Sequence, residues 1–130
     1  MKILKKFLKL LQGVSKHGTV DYNAHKMRSR YPTTKGGYFG EKGKNSRVIY
    51  SKNHIKESKS FYSQISKGGS EKTLDNGKGV QKTMKDGGIV SYREKTSTPN
   101  SPAVDLGKMK GEIKNQKIHF ERRNDDEKKF

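Results

Sequence analysis

Between Gly77 and Phe120, apolar and polar residues alternate in four short runs, the two-residue period of strands whose successive side chains point to opposite faces. In the first run Val80 and Met84 take one side, and Gln81, Thr83 and Lys85 take the other. Val90 and Tyr92 share a side in the second run, opposite Ser91 and Arg93. Val104 and Leu106 flank Asp105 in the third. Ile118 and Phe120 face the core in the fourth, which leaves Lys117, His119 and Glu121 outward. The pattern predicts an antiparallel sheet with one polar wall that carries Thr83, Arg93, Lys117 and His119. Asp86-Gly87-Gly88 is a hairpin turn between the first two strands. The loop from Thr96 to Pro102 and the segment from Gly107 to Asn115 make the later connections.

Upstream of the sheet, Ile55, Tyr62 and Ile65 fall near one helical stripe with Phe61 beside them. Asn53 stands at the N-cap position and Gly68-Gly69 ends the helix. This helix is expected to cover the apolar face of the sheet. Arg47 to Tyr50 favours a short strand. At the N-terminus, Ile3, Leu4, Phe7, Leu8, Leu10 and Leu11 recur at helical spacing among lysines, a basic amphipathic helix over 1–13. It is too short and too charged to span a bilayer and lacks the features of a signal peptide. It either lies on a membrane surface or packs its stripe on the domain. Residues 14–45 read as a basic linker or flexible arm, with Lys26, Arg28, Arg30, Tyr31, Lys35 and Tyr38 mixing cations and rings as nucleic-acid-contacting arms do. A solvated linker has the same composition. The expected fold is α+β, with N-terminal helices followed by a small antiparallel sheet. A main domain spans 46–123, and 124–130 form a charged tail.

Composition narrows the partners. Among 130 residues, 28% are apolar, enough for one domain with a modest core. The formal net charge of +17 points to a polyanion: RNA, DNA, an anionic membrane or an acidic protein. With no cysteine there is no disulfide, thiolate nucleophile or zinc–thiolate site. The four histidines lack metal-ligand spacing, so no metal or cofactor is expected. Histidine, arginine, lysine and hydroxyls on one wall suit a phosphodiester.

The phrases SRVIYS, then KESKSFYSQISKGGSEKTLDNGKGVQKTMKDGGIVSYREKTSTPNSPAVDL, then QKIHF resemble the C-terminal toxin domains of bacterial polymorphic toxins, including LXG-type secreted proteins. The resemblance covers roughly Ser46 to Phe120. In that family GKG, TMKDG, an arginine before a hydroxyl-rich SPAVDI-like stretch, and QKIHF recur in this order. It implies a ribonuclease of the barnase, EndoU, colicin and RelE type, secreted or delivered into the cytoplasm of competing bacteria and held in check by an acidic immunity protein. By position, Arg93 matches the family's strand arginine, Thr96, Ser97 and Thr98 its Ser/Thr run, and His119 the histidine of QKIHF. Three features depart from the family: an initial methionine with a basic helix, His54 where relatives carry other residues, and a shorter DLGKMKGEIKN connection.

On this reading RNA is cleaved without a metal, by attack of the ribose 2′-hydroxyl on the adjacent phosphate, with the protein acting as a monomer that does not insert in membranes. Such a step needs a proton acceptor, a proton donor and cations on the phosphoryl oxygens. His119 is the acid/base candidate, because an imidazole titrates near neutrality. Arg93 offers a bidentate guanidinium. Thr96 and Ser97 orient the scissile group, while Lys78, Lys82, Thr83, Thr98 and Lys117 bind substrate. Each residue has a plainer role: His119 an edge-strand polar group, Arg93 an ion-pair partner of Glu94 or Glu121, the lysines basic surface, and residues 96–98 turn formers. The alternatives in function are a noncatalytic RNA-binding protein, a metal-dependent DNase toxin, and membrane disruption by the N-terminal helix.

Overall fold

The computed structural model describes residues 17–74 and 77–123. The expected helix over 1–13 and the tail over 124–130 lie outside the described residues. Two short helices, α1 (Val20–Lys26) and α2 (His54–Ile65), accompany seven strands: β1 (Glu41–Lys42), β2 (Arg47–Ser51), β3 (Ser70–Thr73), β4 (Val80–Thr83), β5 (Ile89–Arg93), β6 (Ala103–Gly107) and β7 (Gln116–Arg122). They form one sheet in the order β1-β2-β7-β6-β5-β4-β3. All neighbours are antiparallel except β2 and β7, which run parallel.

The fold therefore departs from the expected helical N-terminal portion followed by a small antiparallel sheet of the barnase, EndoU, colicin and RelE type. It is mostly sheet, and the sheet is mixed. The physical cause is β2, where Ile49 pairs with Phe120 and packs against the same core. That extends the sheet beyond β7 with strands that precede the main helix in the chain.

α2 buries Ser58, Phe61, Tyr62 and Ile65, a stripe at helical spacing. Phe61 is its centre, edge-on to Tyr31 and Phe39 at 5.0 Å and tilted against Phe120 at 5.4 Å. Val90, Val104, Leu106, Ile118 and Phe120 supply the sheet's side of this core. Asn53 occupies the N-cap of α2, but its side chain makes no capping hydrogen bond. Asp86 Oδ1 accepts from Gly88 N at 3.0 Å and so shapes the β4–β5 turn.

Residues 17–45, expected as a linker or arm, instead contribute α1 and several core anchors. Thr19 caps α1, its hydroxyl accepting from Tyr22 N at 3.2 Å. Asn23 Nδ2 donates to the carbonyls of Ile65 (2.8 Å) and Lys67 (3.1 Å), which satisfies acceptors left over at the end of α2. Val20, Ala24, Met27, Tyr31 and Phe39 then join the core. Gln116 stitches the far end down: its Oε1 accepts from Phe39 N and its Nε2 donates to Gly37 O, each at 2.9 Å. A side chain at Gly37, whose φ is +89°, would collide with the carbonyl of Glu112.

Candidate functional site

The pairing register sorts the side chains on the sheet. Val90, Val104, Ile118 and Phe120 face α2. On the opposite face one row joins Arg93, Ala103, His119 and Val48, and a second joins Lys72, Gln81, Ser91, Asp105 and Lys117. Thr83 pairs with Ile89 in a third row on that face. The structure thus places Thr83, Arg93, Lys117 and His119 on the face away from the helices. Lys82 departs from this group. It pairs with Val90 and Glu71 on the helix side, with its ammonium 5.4 Å from the Tyr62 ring centre.

Arg93 and His119 flank Ala103, two strand spacings or about 10 Å apart. The alanine is buried and small, so nothing tall stands between the two. Asp105 and Lys117 sit one row away. Arg93 is exposed and has no ion pair among the described residues. Glu94, one expected partner, pairs with Lys59 at 3.0 Å instead. Both Glu94 contacts, the hydrogen bond first and the charge second, hold the Lys59 ammonium above its usual range.

His119 is half-buried. Its Nδ1 lies 2.9 Å from Ser101 Oγ and 3.3 Å from the Ser101 carbonyl. Ser101 is 1% exposed, so the pair is anchored from beneath the surface. Thr96 Oγ1 donates to the same Ser101 carbonyl at 2.7 Å, lies 3.1 Å from the Thr98 carbonyl and accepts from Thr98 N at 3.2 Å. The Thr96 hydroxyl is therefore engaged in shaping its own loop. His54 fixes that loop from α2, with Nε2 2.8 Å from the carbonyl of Asn100. When the proton sits on Nδ1 and is donated to Ser101, the Nε2 lone pair remains for a substrate. Nε2 has no hydrogen-bond partner among the described residues.

Beside this pair lies an open groove of about 830 Å³ lined by Lys78, Gly79, Arg93, Thr96 and Ser97 among others. It brings the GKG turn, the strand arginine and the Ser/Thr run to one place. Gly79 makes this possible, because a Cβ there would meet the Tyr92 carbonyl at 2.2 Å. His119 does not line the groove, and Thr98 is exposed on the loop outside it. Thr96 bridges the two regions through Ser101. Ser101 escaped the sequence reading, although SPAVD sets Ser101, Ala103 and Asp105 at two-residue spacing. Its contact with His119 depends on β6–β7 register, which local pattern does not specify.

Among the described residues, no group of three or more His, Asp or Glu side chains is placed to hold a metal ion. No helix among them is long and apolar enough to cross a membrane. No protein-family model, curated protein or solved structure matches the chain.

Proposed function

We propose that the domain is an antibacterial toxin that cleaves RNA in the cytoplasm of a target cell by metal-independent transesterification. The observation that carries this reading is the placement of His119, held at Nδ1 by Ser101, on one open face with Arg93 and Lys117. The resemblance of Ser46–Phe120 to polymorphic-toxin domains leads to the same reaction, and the charge of +17 suits its substrate.

In the proposed step His119 Nε2 takes the proton of a ribose 2′-hydroxyl. The 2′-oxygen bonds to phosphorus, the bond from phosphorus to the 5′-oxygen breaks, and a proton from solvent reaches the leaving oxygen. The products are a 2′,3′-cyclic phosphate and a 5′-hydroxyl. Arg93 spreads its guanidinium over the phosphoryl oxygens, where negative charge grows in the transition state. Lys78 and Lys117 bind flanking phosphates. Delivery from a producing cell, action as a monomer and protection by an acidic immunity protein that covers the same face belong to this reading.

Incubation of the protein with total bacterial RNA in EDTA tests it. Wild type yields discrete fragments with cyclic-phosphate ends, His119→Ala yields none, and Arg93→Lys loses about 10-fold or more, because an ammonium cannot replace a bidentate fork. RNA that stays intact with wild type, with and without Mg²⁺, yet is retained equally by wild type and His119→Ala, would instead make the domain a noncatalytic RNA-binding module.

A further inference from the structure

A second cavity, of about 490 Å³, lies beside the helices, away from the Arg93–His119 face. Three elements each contribute one lysine to it: Lys26 from the end of α1, Lys67 from the turn after α2, and Lys85 from the β4–β5 turn. All three are exposed, and none forms an ion pair among the described residues. Among the described residues, no acidic side chain lines the cavity. Lys26 also stands 6.0 Å from the ring centre of Tyr22, and the His17 ring packs against that ring, 4.2 Å between centres and tilted by 49°. Met27, almost fully buried, gives the cavity an apolar floor.

The convergence of these lysines depends on two glycines. Gly18 and Gly68 both have positive φ and touch: a Cβ on Gly68 would lie 2.8 Å from the Gly18 Cα. The stem of Lys85 lies across Gly18, where a Cβ would meet its Cδ at 2.7 Å. A backbone bond from Lys85 N to Gly18 O, 3.0 Å, holds the turn against the start of α1. The close approach of three elements without side chains at their junction is what brings three lysines to the lining of one cavity. Like charges gathered without counter-charge are stabilised by an anion, and an aromatic pair with an apolar floor takes a flat ring.

We infer that this cavity binds a nucleotide unit, with the base against the His17–Tyr22 pair and Met27, and the phosphate among Lys26, Lys67 and Lys85. The volume lies in the range of small-ligand sites. Gln64 contributes a base contact: its Nε2 donates to Ser60, which leaves its amide oxygen to accept from an exocyclic amine. The unit is either a free nucleotide or one residue of a strand, and the chemistry of recognition is the same. The site stands apart from the cleavage reading, since it shares no residue with it.

The test is titration of the full ¹⁵N-labelled chain with adenosine 5′-monophosphate, beside inorganic phosphate and adenosine as separate probes. The expected result is amide shifts centred on 17–27, 64–68 and 85, with phosphate and adenosine each bound about 10-fold or more weakly than the nucleotide. Lys67→Ala/Lys85→Ala lowers nucleotide affinity about 10-fold, while Lys56→Ala/Lys72→Ala, which removes the same charge elsewhere, changes it less than about twofold. Equal losses in the two variants, shifts scattered over the lysine-bearing surface, or phosphate binding as tight as the nucleotide would each overturn the inference. A 2′-deoxy trinucleotide separates the sources. Tighter binding than the mononucleotide at the same amides identifies a strand, and weaker binding identifies a free nucleotide.

Discussion

Ser101 is the residue on which the proposed site turns, because it holds the imidazole of His119 without reaching the surface itself. Ser101→Ala should lower kcat for RNA about 10-fold to 100-fold with KM little changed, as expected for a positioning partner of a functional histidine. An equal fall in thermal stability and RNA affinity, with kcat preserved, would make the bond merely structural. Tyr62 and Tyr92 give a second prediction. Burial raises both phenols above the usual range, and in Tyr62 the hydrogen bond to Glu71 adds to the effect. An unfolded tyrosine loses its proton near pH 10, so above that pH the unfolded chain binds fewer protons than the folded one, and stability falls as pH rises. Denaturation midpoints should hold steady toward pH 10 and then drop, with a shallower drop in Tyr62→Phe. The outward facing of His119 and Arg93 was legible because alternation in their strands is local. Lys82 shows the limit of such assignment: two-residue spacing from Val80 puts it beside the core, and only its length brings the ammonium out past Tyr62.

At the level of elements, α2 and strands β4 to β7 were readable because each carries a period or a turn signal, whereas β3, Ser-Glu-Lys-Thr with no apolar residue, was not. The segment ahead of β2 has turn signals, at Tyr31-Pro32, Gly36-Gly37 and Gly43, but its composition is that of a linker. Val20, Ala24, Met27 and Tyr31 are buried at helical spacing, but they are few in a Gly- and Lys-rich stretch, Phe39 stands apart from them, and the value of all five comes from contacts far along the chain. Glu57 shows the type: it accepts from Arg30, Tyr31 and Ser51, and so ties that stretch to the first turn of α2. Asn23→Ala should therefore cost about 1–3 kcal/mol, since two carbonyls at the end of α2 lose their donor. Phe61→Ala removes the ring on which three others lean and should cost roughly 3–5 kcal/mol. Chemical denaturation measures both, and an Asn23→Ala variant as stable as wild type would return the segment to the status of a loose arm.

For the molecule as a whole, the excess of positive charge sets association more than architecture. RNA affinity should fall steeply with salt, and removal of one phosphate contact, as in Arg93→Ala, should reduce the slope of log affinity against log salt by about 0.7. An unchanged slope would place Arg93 away from the phosphates. The parallel pairing of β2 with β7 has a different consequence. Strand β7 comes last in chain order among the seven, yet it lies inside the sheet, between β2 and β6. On a ribosome, β1 and β2 must wait with Ile49 uncovered until residues 116–122 emerge, and the loop closed by that pairing is long. A nascent chain arrested before residue 116 should accordingly be cut readily by protease along its whole length. The domain's competence then arises in a single late event, and a cell that makes it has the time of translation before the folded form exists.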